Sequence, residues 1–183
     1  KERNWNIMNT SSNNSTELRE LCGNLAVENF KNGLNCCESV YNALLRAGIL
    51  KANPSTQAMC IGFGGGIGLS GHTCGALSAV IMACGAAYGR TDPWSVPEDR
   101  RMSEIADKYY RRYNAIVHEF EKKCGSTDCA GISAPFEDWH SVERRKACLK
   151  LIANTAKMAY DYLQMPQEEA FALPYGKNMG GRD

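Results

Sequence analysis

Apolar residues recur every three or four positions through most of this chain, and that period decides the fold class. Past residue 98 the stripe runs Met102, Ile105, Ala106, Tyr109, Tyr113, Ile116, Val117 and Phe120, the spacing of one face of an α-helix. Nearer the C-terminus, Cys148, Ile152, Thr155, Ala159 and Leu163 share a face of a helix spanning Ser141 to Leu163. Leu18, Cys22, Leu25 and Phe30 mark an earlier helix that stops at Asn32-Gly33. No segment of useful length alternates with period two, so sheet content should be small. The expectation is an all-α fold, a single multi-helix domain over residues 16–183.

Local signals divide the rest. Asn35-Cys36-Cys37-Glu38 reads as a capping box opening a helix to Ala47-Gly48, and Ser95-Val96-Pro97-Glu98 as a second box opening the long stripe. Lys122, Lys123 and Gly125 close that stripe with the expected charge and breaker. A short helix is expected from Pro54 to Ile61. Gly62 to Gly71 then holds six glycines in ten residues. Residues 73–88 are apolar on nearly every face, which marks a helix buried at the centre of the domain. Residues 1–15, rich in Asn and Ser, read as a flexible lead-in. The chain opens on Lys1 rather than Met, so a processed chain or a fragment is expected. The cytoplasm and export after signal removal both stay open as compartments.

Charge excludes one class of partner. With 21 Lys+Arg against 20 Asp+Glu, net charge +1, no basic face for nucleic acid is visible. The longest apolar stretch, Ala76 to Ala87, is interrupted by Ser78 and Gly85 and is too short to span a bilayer. Cysteine is the outlier. There are nine, so disulfides alone would leave one thiol over. Thiolate, metal or redox chemistry therefore comes forward. The chain contains no C-x-x-C, and hence neither a thioredoxin-like pair, a zinc-ribbon knuckle nor a c-type haem attachment.

The glycine run lacks the Lys and Ser/Thr of a phosphate loop, continuing instead as Gly71-His72-Thr73-Cys74, and no strand precedes it. Glycines also let backbone N–H groups approach an anion, and a thiolate–metal site can use that property. Cys36 and Cys74 fall in the first turns of helices, where free N–H groups and the helix dipole favour a thiolate. Cys74 and Cys84 lie ten residues apart, about 15 Å along one helix, too far to ligate one compact cluster. Cys129 follows a short turn and Cys148 faces a core stripe. Cys22, Cys60 and Cys84 read as small core residues, Cys37 can face away from Cys36, and Cys124 reads as a loop thiol. His72 and His140 neighbour these regions and could replace one thiolate, although a lone histidine there is more often a surface or capping residue. Spacing alone offers no local ligand pair, so it does not select a ligand set.

Several blocks match a known pattern in order: Gly33-Leu34-Asn35-Cys36, Gly62 to Gly68, Cys74-Gly75-Ala76-Leu77-Ser78, Tyr88-Gly89, Gly125-Ser126 with Cys129, and Cys148. From about residue 16 to 163 the chain resembles the C_GCAxxG_C_C family of redox-active proteins, which includes the cluster-bearing part of split-Soret cytochromes c. The resemblance implies that Cys36, Cys74, Cys129 and Cys148 are the family's four cysteines. It implies one iron–sulfur cluster, two-iron rather than four-iron, with Gly64, Gly65, Gly66 and Gly75 beside the cofactor. It also implies electron transfer or redox sensing with a redox partner protein, and a homodimer. Two departures stand out: the pattern's closing glycine is Ala79, and the haem-binding segments of the cytochromes are missing, so no haem is expected. A thiol–disulfide protein using the same cysteines and a structural four-cysteine zinc site are the rival readings.

Overall fold

In the computed structural model, the backbone is described from residue 3 and side chains from residue 14. The expected flexible segment 1–15 lies almost wholly outside the described side chains. The chain forms helices α1 (Arg3–Lys31), α2 (Cys36–Arg46), α3 (Gly75–Tyr88), α4 (Glu98–Glu104), α5 (Tyr110–Cys124), α6 (Cys129–Ser133), α7 (Val142–Gln164) and α8 (Gln167–Phe171). A 3-10 helix, Pro54–Phe63, and a π-helical turn, Ile105–Tyr109, complete the order. Among the described residues β structure is limited to an isolated bridge between Thr73 and Asp128, so the fold is all-α.

α2 packs against α1, α3 and α7, and α3 packs on α7 as well. Their meeting faces bury Cys22, Tyr41, Leu44, Val80, Ile152 and Met158 completely, and at about 25 cal/mol per Å² such apolar area supplies the main drive to fold. α2 begins where the capping box predicts: Asn35 Oδ1 accepts from Glu38 N at 2.9 Å and Glu38 Oε2 accepts from Asn35 N at 2.9 Å. α3 is apolar throughout, and its residues 75–80 are buried on every side, as expected of the central helix. Its last turn, at Ala86 and Ala87, reaches solvent. No described helix is long and apolar enough to cross a membrane.

Three expectations change. Ser95 caps no α-helix: it ends a 3-10 turn, Pro93–Ser95, and its hydroxyl donates to Asp92 O at 2.8 Å. With Ser95 as cap, Val96 would have to be helical directly before Pro97, where the proline ring clashes with an α conformation. Val96 is extended instead (φ −91°, ψ 131°) and α4 starts at Glu98. The long stripe is interrupted by the π turn, whose one extra residue rotates everything upstream by about 100°. Ile116 and Phe120 thus stay in the core while Met102 is 66% exposed. The short helix after Pro54 is a 3-10 helix that buries Cys60 and continues to Phe63.

Arg112 ties α5 to the C-terminal end of α7. Buried on α5, it donates to the carbonyls of Tyr162, Met165 (3.1 Å) and Pro166 (3.4 Å) and to Gln167 Oε1 (3.2 Å) at the C-terminal end of α7. A cation suits that end, where helix carbonyls lack partners.

Candidate redox centre

The glycine run is a left-handed turn. Gly65, Gly66, Ile67, Gly68 and Leu69 all have φ between 60° and 71°. L-residues disfavour this region by about 1–2 kcal/mol each. The turn closes through Leu69 N to Gly64 O (3.1 Å), Gly71 N to Gly65 O (3.1 Å) and Ser70 Oγ to Gly66 O (2.6 Å). Its far end pairs with the segment before α6. Cys74 N donates to Thr127 O, Cys129 N to His72 O and Ala130 N to Gly71 O, each at 2.8 Å. Cys74, immediately before α3, and Cys129, the first residue of α6, are thereby set side by side.

Glycine is required at two contacts of this turn. A side-chain carbon at Gly66 would lie 2.4 Å from His72 O and 2.7 Å from Cys129 Cβ. One at Gly75 would lie 2.6 Å from Phe63 O and 3.3 Å from Cys36 Cβ. The absence of Cβ atoms lets the turn approach α6 at Cys129 and lets α3 approach α2 at Cys36. Gly64 sits against Asn35, where an added carbon would stand 3.0 Å from Asn35 Cβ. Gly65 offers its amide to the Cys36 sulfur.

Every pair among Cys36, Cys74, Cys129 and Cys148 except Cys74 with Cys148 interacts through charge. Burial pushes the Cys36 thiol up to about 11, and negative charge at Cys148 and Cys129 adds to the push; the Gly65 amide and the Arg144 guanidinium pull back. Burial likewise lifts Cys74 to about 12, against the amides of Ala76 and Leu77, which fall short of capping geometry. Cys148 is raised by burial, with Arg144 opposing and Cys129 adding. The expectation that helix N-termini would leave Cys36 and Cys74 as ready thiolates is therefore corrected: desolvation outweighs the first-turn amides. Among the described residues no three His, Cys, Asp or Glu side chains stand close enough to hold a single metal ion.

Arg144 was not visible as a site residue, although it lies one helical turn before Cys148. Its guanidinium stacks 3.2 Å from the centre of the Trp139 ring, with Nε donating to Ser133 Oγ (3.0 Å) and Nη1 to Trp139 O (3.1 Å). The other five cysteines sort largely as expected. Cys22, Cys60 and Cys84 are fully buried. Cys37 turns into the core, where its thiol shares a hydrogen bond with the Cys60 thiol and lies 3.9 Å from Met82 Sδ. Cys124 is the last residue of α5 rather than a loop thiol. His72 and His140 are exposed, and His72 contributes through its backbone. All nine cysteines are free thiols.

The family described as "Putative redox-active protein (C_GCAxxG_C_C)" matches residues 34–162, the stretch that carries all four of these cysteines. The chain belongs to that family. Membership gives this C_GCAxxG_C_C protein a redox role. An uncharacterized protein of Archaeoglobus fulgidus is 29% identical over 133 residues, 71% of this chain and 85% of the relative. No solved structure matches. Ala79, where the family pattern closes on glycine, is fully buried within α3.

Proposed function

We propose that the protein transfers or senses electrons through one iron–sulfur cluster held by Cys36, Cys74, Cys129 and Cys148. The supporting observation is the pairing of the Cys74 and Cys129 segments across the glycine turn, with Cys36 Cβ packed beside Gly75 and Cys129 Cβ beside Gly66. Ionising one raises the cost of ionising the next, and a cationic iron–sulfur core relieves that cost as the protons leave. When bound, the cluster supplies one-electron chemistry. The chain's own part is to donate four sulfurs from separate helices, to exclude water, and to tune the centre with the Gly65 amide and the Arg144 charge. The neighbouring Gly64, Gly66 and Gly75 supply the room. The two-iron form follows the family resemblance, as do exchange with a redox partner protein and pairing of two chains. Desolvation holds the Cys36 and Cys74 thiols protonated at neutral pH, and a thiol attacks far less readily than a thiolate, which speaks against the thiol–disulfide alternative.

One preparation tests all three readings. Anaerobically purified protein should show a visible charge-transfer band with stoichiometric iron and acid-labile sulfide. Zinc alone would mean a structural site, and a colourless protein with reversible disulfides would mean thiol exchange. In the cluster-bearing protein, Cys74→Ser should bleach the band or greatly reduce occupancy, whereas Cys84→Ser should leave the spectrum unchanged. Equal loss in both variants would refute this ligand set.

A further inference from the structure

A cleft of about 320 Å³ opens between α5, α6 and α7, and Cys148 lines it. Phe120, Ile132, Phe136, Leu151 and Met158 form its apolar walls, so an apolar body gains by leaving water for it. Lys123, Arg144 and Lys150 also line it, and no carboxylate does. Lys123 is paired with Glu119, whose carboxylate also accepts from the Tyr162 hydroxyl at 2.9 Å. The other two cations are unmatched. Arg144 commits Nε and Nη1 to Ser133 and Trp139, and among the described residues neither Arg144 nor Lys150 has a carboxylate within ion-pair distance. Positive charge beside an apolar hollow of this size calls for a small amphipathic anion, since small-molecule pockets run from about 300 to 1,000 Å³.

We propose that this cleft binds a small organic anion. Its aromatic or aliphatic body lies against Phe120 and Phe136, and its anionic group meets Arg144 and Lys150. The molecule then sits against Cys148, the edge of the candidate centre that this cleft opens toward. Only that last consequence, access of a small reactant to the centre, rests on the proposed function; the binding itself does not.

The test uses two fluorescent probes that share one aromatic body, anilinonaphthalenesulfonate and its uncharged analogue phenylnaphthylamine, on the intact chain. The sulfonate should bind about tenfold more tightly, the worth of one charge-assisted hydrogen bond. Arg144→Gln with Lys150→Gln should erase that preference while leaving the neutral probe bound. Ala147→Phe, which fills the cleft from α7, should weaken both probes by about tenfold or more, the loss of one well-buried apolar contact surface. Equal affinity of the native chain for the two probes would overturn the proposal, as would sulfonate binding untouched by Ala147→Phe. An iron-free protein that still prefers the sulfonate keeps the cleft and sinks the cluster. A cluster-bearing protein without that preference does the reverse.

Discussion

Gly66 and Gly68 share a left-handed backbone, with φ of 71° and 60°, but not an environment. Nothing lies within 4 Å of a carbon added at Gly68, whereas at Gly66 it meets His72 O and the Cys129 side chain. Gly68→Ala should therefore cost only the backbone penalty, about 1 kcal/mol. Gly66→Ala should cost about 3 kcal/mol, because the turn must also part from α6. Urea unfolding of the two variants at unchanged slope reads the difference, and equal midpoints would mean the turn and α6 are not tightly apposed. The glycines were legible as a place of close approach, yet the left-handed Ile67 and Leu69 were not. Neither residue type favours that region. They occupy it because the hydrogen bonds from Leu69, Gly71 and His72 back onto Gly64, Gly65 and Gly66 hold the turn shut.

At the scale of elements, the start of α2 does double duty. Asn35 caps the helix through Glu38 N, and its Nδ2 donates to the carbonyls of Cys60 and Ile61, both at 3.3 Å. Cys36 is thus held between its own helix and the 3-10 helix that leads into the glycine turn. Asn35→Ala should lose about 2 kcal/mol, at the upper end for a cap, because contacts to a second element go with it. Glu38→Ala, which removes only the reciprocal bond, should lose about 1 kcal/mol. Chemical denaturation of both variants checks the order; a larger loss for Glu38→Ala would show that the bridge to the 3-10 helix contributes nothing. This box was legible because its signal is contained in four consecutive residues. The box at Ser95 was misleading, since Pro97 overrides the cap from two positions away. The π turn was invisible, since Ile105–Tyr109 continues the same three-and-four spacing as its neighbours; in the fold α8 packs against it.

For the whole molecule, burial of thiols makes stability depend on pH. Cys22 and Cys36 are lifted from 9.0 to about 11, and Cys74 and Cys84 to about 12, in each case first by desolvation. Between those limits the folded chain holds protons that the unfolded chain has released. Stability of the metal-free, reduced protein should be fully present below about pH 9 and fall steadily as pH rises toward 12. Urea unfolding across that range is the measurement, and a flat profile would mean these thiols are open to water when folded. Loading the centre should remove the share due to Cys36 and Cys74, because a metal-bound sulfur has no proton left to lose.

The all-α class, most helix positions and the burial of Cys22, Cys60 and Cys84 could be read from the sequence alone, because each follows from a period or signal spanning a few residues. Pairing of the Cys74 and Cys129 segments across the glycine turn, the turn of Cys37 toward Cys60, and the place of Arg144 beside Cys36 were decided only in three dimensions. Those contacts join residues up to about a hundred positions apart. No local preference encodes them: α2, α3 and α7 pack on one another around one core, and backbone hydrogen bonds from the glycine turn and Cys74 hold the segment opening α6 in place.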